Sequence, residues 1–185
     1  AYENYVTPEM CVPKKPLRVP WESCLTLGAD FNYAYGDHYK SPRELVNLLV
    51  NIVAKGGNMA LNVSPQPDGR IPVEAWESLR GLGAWMQTYG EAIYGTRICA
   101  PYQSGNLAFT QKGDTVYAIR LYPEEGEAVE EKLLIPYQGK IRGISMVDTK
   151  KEAEWKMTEE GIQVVIPQEY REGETPIAIV WKIEQ

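Results

Sequence analysis

SPRELVNLLVNIVAKGGNMALNVSPQPDGRIPVEAWESLRGLGAWMQTYG, residues 41–90, decides the fold class, because it reads as helix, strand and helix separated by glycine and proline punctuation. Ser41 can cap the free amides of a first turn, Pro42 suits the first helical position, and Glu44 completes a capping box three residues on. Leu45, Leu48, Leu49, Ile52 and Val53 recur at three- and four-residue spacing and build one apolar face. Lys55 complements the carboxyl end of the helix dipole, and Gly56-Gly57 can take the positive φ that stops a helix.

Residues 59–63 are short and mostly apolar, which predicts a buried strand covered on both faces in a parallel sheet. Pro65 and Pro67 then remove ladder donors, and Asp68-Gly69 favours a tight turn. This loop leaves the carboxyl end of the strand, where open sheets and barrels place their chemistry. A second helix is predicted over residues 72–89, with Ala75, Trp76, Leu79, Leu82, Trp85 and Met86 along one side and Gly90 as its stop. Gly81 and Gly83 each cost that helix roughly 1 kcal/mol relative to alanine, which predicts close packing against a neighbour.

Upstream, residues 1–6 alternate aromatic and polar groups as a short strand does, and Thr7-Pro8 breaks the run just before Glu9. Residues 11–20 contain three prolines and three basic residues and read as an extended surface connection; residues 21–27 return to strand composition. Residues 28–40 form a loop rich in Gly, Asn, Asp and Tyr, too long for a plain connector and therefore a place for a site. The order strand, loop, strand, long loop, helix, strand, loop, helix is an α/β pattern.

Downstream the composition changes after Thr96, and a domain boundary is placed near Arg97. Short β-rich runs follow at residues 107–111, 115–122, 132–135, 141–147, 154–157, 162–166 and 177–183. Several alternate apolar and polar residues, as in Ile177, Ile179 and Trp181, so the second domain is predicted to be an antiparallel β-sandwich with one wet face. The acidic run 124–131 reads as a solvated hairpin loop.

The 185 residues suffice for a substantial core, and a net charge of -6 without a basic cluster argues against nucleic acid as a partner. No apolar run reaches the roughly 20 residues that span a bilayer, so no membrane partner is expected. The compartment stays open between a bacterial cytoplasm and secretion. Cys11, Cys24 and Cys99 are odd in number and lack metal-ligand spacing, which favours free thiols. With His38 as the one histidine, neither a histidine metal cluster nor a Ser-His-Asp triad can be built from this chain, and His38 is expected to fix the loop before Ser41.

The segments Trp21-Glu22-Ser23-Cys24, Phe31-Asn32-Tyr33, Lys55-Gly56-Gly57-Asn58, Leu61-Asn62-Val63-Ser64-Pro65, Pro67-Asp68-Gly69 and Gly90-Glu91-Ala92-Ile93-Tyr94-Gly95-Thr96, in that order and spacing, resemble the α-L-fucosidases of glycoside hydrolase family 29. The resemblance is close over the first half, and the second half agrees in being a β-sandwich. It implies that residues 1–96 are the C-terminal part of a catalytic (β/α)8-like barrel and that residues 97–185 are a C-terminal β-sandwich domain. It also implies a retaining exo-α-L-fucosidase acting on terminal fucose of glycans, with the Asp nucleophile and a histidine cluster for sugar hydroxyls upstream of Ala1. The segment alone is then expected to be inactive, and a companion chain or segment carrying the earlier barrel is expected as a partner.

By the same resemblance, Glu9 matches the general acid/base, with Glu3 as its alternative and Glu22 a more distant one that reads better as a structural acceptor. A retaining pair needs two carboxylates about 5–5.5 Å apart. An acid working near neutrality needs a pKa raised by burial or by a neighbouring carboxylate, and Tyr5 and Met10 offer aromatic and apolar surroundings. Phe31 matches an apolar wall beside the C6 methyl of fucose, and Trp21 and Tyr33 could add stacking surface or serve packing. Asn62 and Asp68 are read as loop and turn residues. Neither metal nor cofactor is implied, because two carboxylates suffice for the reaction. The rival readings are a non-catalytic carbohydrate-binding module and a purely structural sandwich.

Overall fold

The structure, a computed structural model, describes residues 4–185, so Glu3 and the role assigned to it lie outside the described residues. The chain forms two compact units, Ala1–Gln87 and Thr88–Gln185.

In the first unit, β1 (Glu22–Thr26) leads through the long loop to α1 (Pro42–Ala54), β2 (Asn58–Asn62) and α2 (Val73–Tyr89). β1 and β2 pair in parallel, with Cys24 opposite Ala60 and Thr26 opposite Asn62. Residues 6–10 add a third parallel line on the other edge of β1, through bridges between Val6 and Trp21 and between Glu9 and Cys24. The amides of Glu22, Cys24 and Met10 close that ladder at 3.0, 2.9 and 2.9 Å, onto the carbonyls of Val6, Pro8 and Cys24.

The capping box is complete: Glu44 N donates to Ser41 Oγ at 3.2 Å and Ser41 N donates to Glu44 Oε2 at 2.7 Å, a device worth about 1 kcal/mol. Helix α1 buries Leu45, Val46, Val50, Ile52 and Ala54; Leu48, Leu49 and Val53, expected on the apolar face, are only partly covered. Trp21, Leu25 and Ile52 form one core cluster, and Leu27, Leu45 and Ala75 form another. Each large aliphatic side chain buried there contributes about 1.5–3 kcal/mol relative to its exposed state.

Lys55 caps the carboxyl end of α1 and is 6% exposed; its Nζ donates to Pro13 O at 2.9 Å, so burial lowers its pKa and the amine grips the proline-rich connection. Three expectations for this unit are corrected. β2 is half-buried instead of buried, because its ladder among the described residues runs only on the β1 side. Trp76 is 44% exposed under the Arg80 guanidinium, 5.7 Å from the ring centroid, and α2 buries Ala75, Ser78 and Trp85. Of its two glycines, Gly81 does mark close packing, since an added Cβ would stand 2.7 Å from Pro42 Cβ; Gly83 has nothing within 4 Å.

The second unit begins with a short 3-10 turn, Gly90–Ala92, and continues through β3 (Arg97–Ser104), β4 (Leu107–Lys112), β5 (Thr115–Leu121), β6 (Lys132–Ile135), β7 (Gly143–Met146), β8 (Trp155–Thr158), β9 (Gly161–Val165), the short α3 (Gln168–Arg171) and β10 (Ala178–Glu184). A five-stranded sheet in the order β3-β4-β5-β10-β7 faces a three-stranded sheet β6-β9-β8, and every pairing is antiparallel. Phe109, Ala118, Ile179 and Trp181 of the first sheet share one core with Ile135, Ile162 and Val164 of the second, which makes the unit a β-sandwich. β3 escaped the sequence reading because Pro101 and a register shift between Ile98 and Gln103 break its alternation.

The expected wet face is also corrected for the five-stranded sheet, whose central strands are buried on both sides. Tyr117 and Val180, pointing away from the inner core, are 3% and 1% exposed. The 3-10 turn ties onto that face: Thr110 Oγ1 donates to Ala92 O at 2.7 Å, and Glu91 accepts from Tyr117 Oη at 3.1 Å and from Lys150 Nζ at 2.7 Å. The acidic run is not simply solvated either. Arg120 holds Glu130 at 2.8 Å and Glu127 at 3.2 Å, lies 4.5 Å over the Tyr122 ring, and Tyr122 Oη donates to Glu130 at 3.1 Å; the exposed Glu124, Glu125 and Glu131 match a solvated loop.

Candidate functional site

Three parallel lines of chain end side by side, and their carboxyl ends carry the residues of interest. The first ends at Glu9, an exposed carboxylate, after which Met10 turns the backbone with φ 52°, a conformation uncommon outside glycine. Among the described residues the Glu9 carboxylate has no hydrogen bond or ion pair. Tyr5 faces Glu22 instead: partial desolvation and then the Glu22 carboxylate raise the tyrosine pKa. Aromatic cover for Glu9 is therefore not provided by Tyr5.

The second line ends at Thr26, whose hydroxyl donates to Gly28 O at 2.7 Å and opens the long loop. Hydrogen bonds brace that loop at its base and across its arms. Asp37 accepts from Ala29 N at 3.1 Å and from His38 N at 2.8 Å, bridging the loop's two arms. Lys40 Nζ donates to Thr26 O at 2.7 Å and to Gly28 O at 3.2 Å, and Lys40 N donates to Leu27 O at 2.9 Å, closing the base. Gly28 must lack a Cβ, which would stand 2.9 Å from Asp37 Cγ. Asp37 and Lys40 thus do the fixing expected of His38, whose side chain is exposed.

The third line ends at Asn62. Its carbonyl accepts from Leu27 N at 2.9 Å, continuing the ladder past Thr26. Its Nδ2 donates to Phe31 O at 3.1 Å and to Ser64 Oγ at 3.0 Å, while Ser64 Oγ donates to the same Phe31 O at 2.7 Å. Asn62 therefore does more than shape its own loop. Phe31 and Tyr33 are half-buried on the loop, and Tyr35 at the loop tip is 96% exposed. Trp21 is not part of this rim: at 1% exposure, among Leu25 and Ile52, it has no ring face for a sugar.

The sequence reading pointed to Glu9 and Phe31, and both lie at the same end of the parallel strands. It missed Asp37, Lys40 and Ser64 as the groups that hold the rim; the one available signal was the density of short polar residues flanking the loop. Among the described residues no group of three or more His, Cys, Asp or Glu side chains is arranged to hold a metal ion. Chemically, the rim offers the exposed carboxylates of Glu9 and Asp30 and the half-buried aromatic residues Phe31 and Tyr33 on a braced loop.

A helix-connected parallel sheet with its polar rim at the strand ends, followed in sequence by an antiparallel sandwich, is the C-terminal portion of a (β/α)8-like barrel with its β-sandwich domain. The profile of the α-L-fucosidase family matches residues 1–91. An α-L-fucosidase of Branchiostoma floridae is 32% identical over 160 residues, covering 80% of this chain and 34% of that protein. α-L-Fucosidase isoenzyme 1 from Paenibacillus thiaminolyticus superposes with a TM-score of 0.86 at 27% identity, covering 98% of this chain and 45% of that one. The Thermotoga maritima α-fucosidase in complex with fucose superposes with a TM-score of 0.81 at 29% identity, covering 98% of this chain and 42% of that one. Residues 1–91 thus belong to the α-L-fucosidase family, glycoside hydrolase family 29. The chain spans about a third of the length of the curated relatives it matches.

Proposed function

We propose that this chain supplies the C-terminal part of a retaining exo-α-L-fucosidase that removes terminal α-L-fucose from glycans. Residues 1–96 complete the catalytic barrel, residues 97–185 form the sandwich domain, and a companion segment carries the upstream barrel with the Asp nucleophile. The observation that carries this reading is Glu9: a carboxylate at the carboxyl end of a parallel strand, inside the residues that the family profile covers.

In the double displacement, the upstream Asp attacks the anomeric carbon while the Glu9 carboxyl protonates the departing glycosidic oxygen; Glu9 then takes a proton from the water that releases fucose. Glu9 is exposed in this chain, so the neighbouring carboxylate and the cover that tune it for acid work come from the companion segment. Phe31 lines the C6 methyl, and Tyr33 extends the same wall. An aromatic wall rewards a methyl group and leaves a hydroxyl unpaired, so the sugar is selected at that carbon.

The test is hydrolysis of aryl α-L-fucosides by the full-length protein, wild type against Glu9→Gln and Glu3→Gln. Glu9→Gln is expected to lose about 100- to 10,000-fold in turnover on poor leaving groups, less on activated ones, with rescue by azide. The same pattern in Glu3→Gln moves the role there, and absence of fucosidase activity in the wild type sinks the reading. A second reading, glycan binding by the sandwich, is favoured by a cleft of about 150 Å³ lined by Trp155, Lys132, Lys156, Glu154 and Gln163. Glycan binding that survives removal of residues 1–96 would support it.

A further inference from the structure

We propose that Asn62 and Ser64 are positioning residues for sugar selection: together they fix the Phe31 carbonyl and so set where the Phe31 ring meets the C6 position of the substrate. This rests on the fucosidase reading above and names the residues that make its specificity wall rigid.

The argument is one of constraint. The long loop is braced at its base by Lys40 and across its arms by Asp37, and both braces act on residues 26–29 and 37–40. Phe31 lies beyond them. Its amide is taken by the side chain of its own neighbour Asp30 at 2.6 Å, which ties it to nothing outside the loop. Among the described residues, the backbone of Phe31 is tied to the sheet only through its carbonyl, which accepts from Asn62 Nδ2 at 3.1 Å and Ser64 Oγ at 2.7 Å. The two donors are themselves linked at 3.0 Å, so the three groups form a closed triangle.

Asn62 is the last residue of β2, in register with Thr26 of β1, and its carbonyl still takes part in the ladder. The triangle thus transmits the position of a strand to the ring. Ser64 is 8% exposed and the three bonds are partly buried, which limits competition by water. An aromatic wall discriminates a methyl from a hydroxymethyl group only if it cannot retreat, since a displaced ring admits the extra oxygen and its water.

Neither side chain transfers a proton or carries charge in the reaction, so its loss is expected in substrate binding and selectivity more than in the chemical step. The measurement is kcat and KM of the full-length protein on an aryl α-L-fucoside and on the matching α-L-galactoside, which differs by the C6 hydroxyl. Ser64→Ala and Asn62→Leu are each expected to lower the fucoside-to-galactoside ratio of kcat/KM by about tenfold, mainly through a raised KM for the fucoside. Ser64→Thr keeps the hydroxyl and is expected to keep the ratio. Near-UV circular dichroism of each variant confirms folding; Ser64→Ala removes one oxygen and keeps the test valid should Asn62→Leu fail to fold. An unchanged ratio in an active Ser64→Ala protein overturns the positioning role while leaving the fucosidase reading intact. A wild type without fucosidase activity overturns both.

Discussion

Gly57 lies flat against the indole of Trp21: a Cβ at position 57 would stand 2.5 Å from Trp21 Cε2, closer than real side chains approach. The second glycine of the Gly56-Gly57 pair is there for space, whereas Gly56 takes the left-handed turn, with φ 80°. Strand β2 can follow α1 so tightly only because the tryptophan ring fills the place where a side chain would be.

Gly57→Ala is therefore expected to destabilise the first unit by about 1–3 kcal/mol, through displacement of a fully buried ring. Gly83→Ala is the opposite case. That glycine sits inside α2 with open space around its Cα, so alanine is expected to stabilise by up to about 1 kcal/mol. Denaturant unfolding followed by tryptophan fluorescence separates the two, and equal shifts of the same sign would refute the distinction.

Asp37 bridges the arms of the long loop, and its removal should loosen the tip without unfolding the sheet. Tyr35 is 96% exposed there, next to Gly36 with φ 70°. Asp37→Ala is expected to accelerate chymotryptic cleavage after Tyr35 while changing global stability by only about 1–2 kcal/mol. Mass spectrometry of timed digests reads the site directly; cleavage there at the wild-type rate would show that Lys40 suffices to hold the loop.

The sandwich carries two carboxylates that folding holds below their ordinary pKa of 4.5. For Glu130, desolvation pulls upward but the hydrogen bond from Arg120 and its charge prevail; for Glu91, desolvation is outweighed by hydrogen bonds from Lys150 and Tyr117. A depressed folded-state pKa contributes stability that is fully present above the unfolded value and is lost as pH falls through the folded one. The unfolding temperature of the sandwich should thus be level above about pH 5.5 and fall as pH drops below about 4.5. Glu130→Gln should lower the plateau and flatten the acid limb. An acid limb of wild-type steepness in Glu130→Gln would place the titration elsewhere.

Much of the local structure was legible in the sequence because it is set within a few residues. Ser41, Pro42 and Glu44 announce a capping box that forms with both bonds, and apolar spacing outlines α1, α2 and most sandwich strands. The order of segments around Trp21, Phe31, Gly56-Gly57 and Asn62 carried the family resemblance, whereas Thr7-Pro8, read as the break after the first strand, does not stop the parallel ladder, which runs on to Glu9 opposite Cys24. What the sequence could not determine was which groups meet across distances in the chain. Lys55 reaches Pro13, Arg120 recovers two glutamates from an acidic run, and Trp21 is a core residue because Gly57 approaches it. Asn62 and Ser64 reach back more than thirty positions to Phe31. Each of these depends on the parallel pairing of β1 with β2 or on the closure of the sandwich, since a side chain's partner is decided by the packing of distant segments and not by its own neighbours.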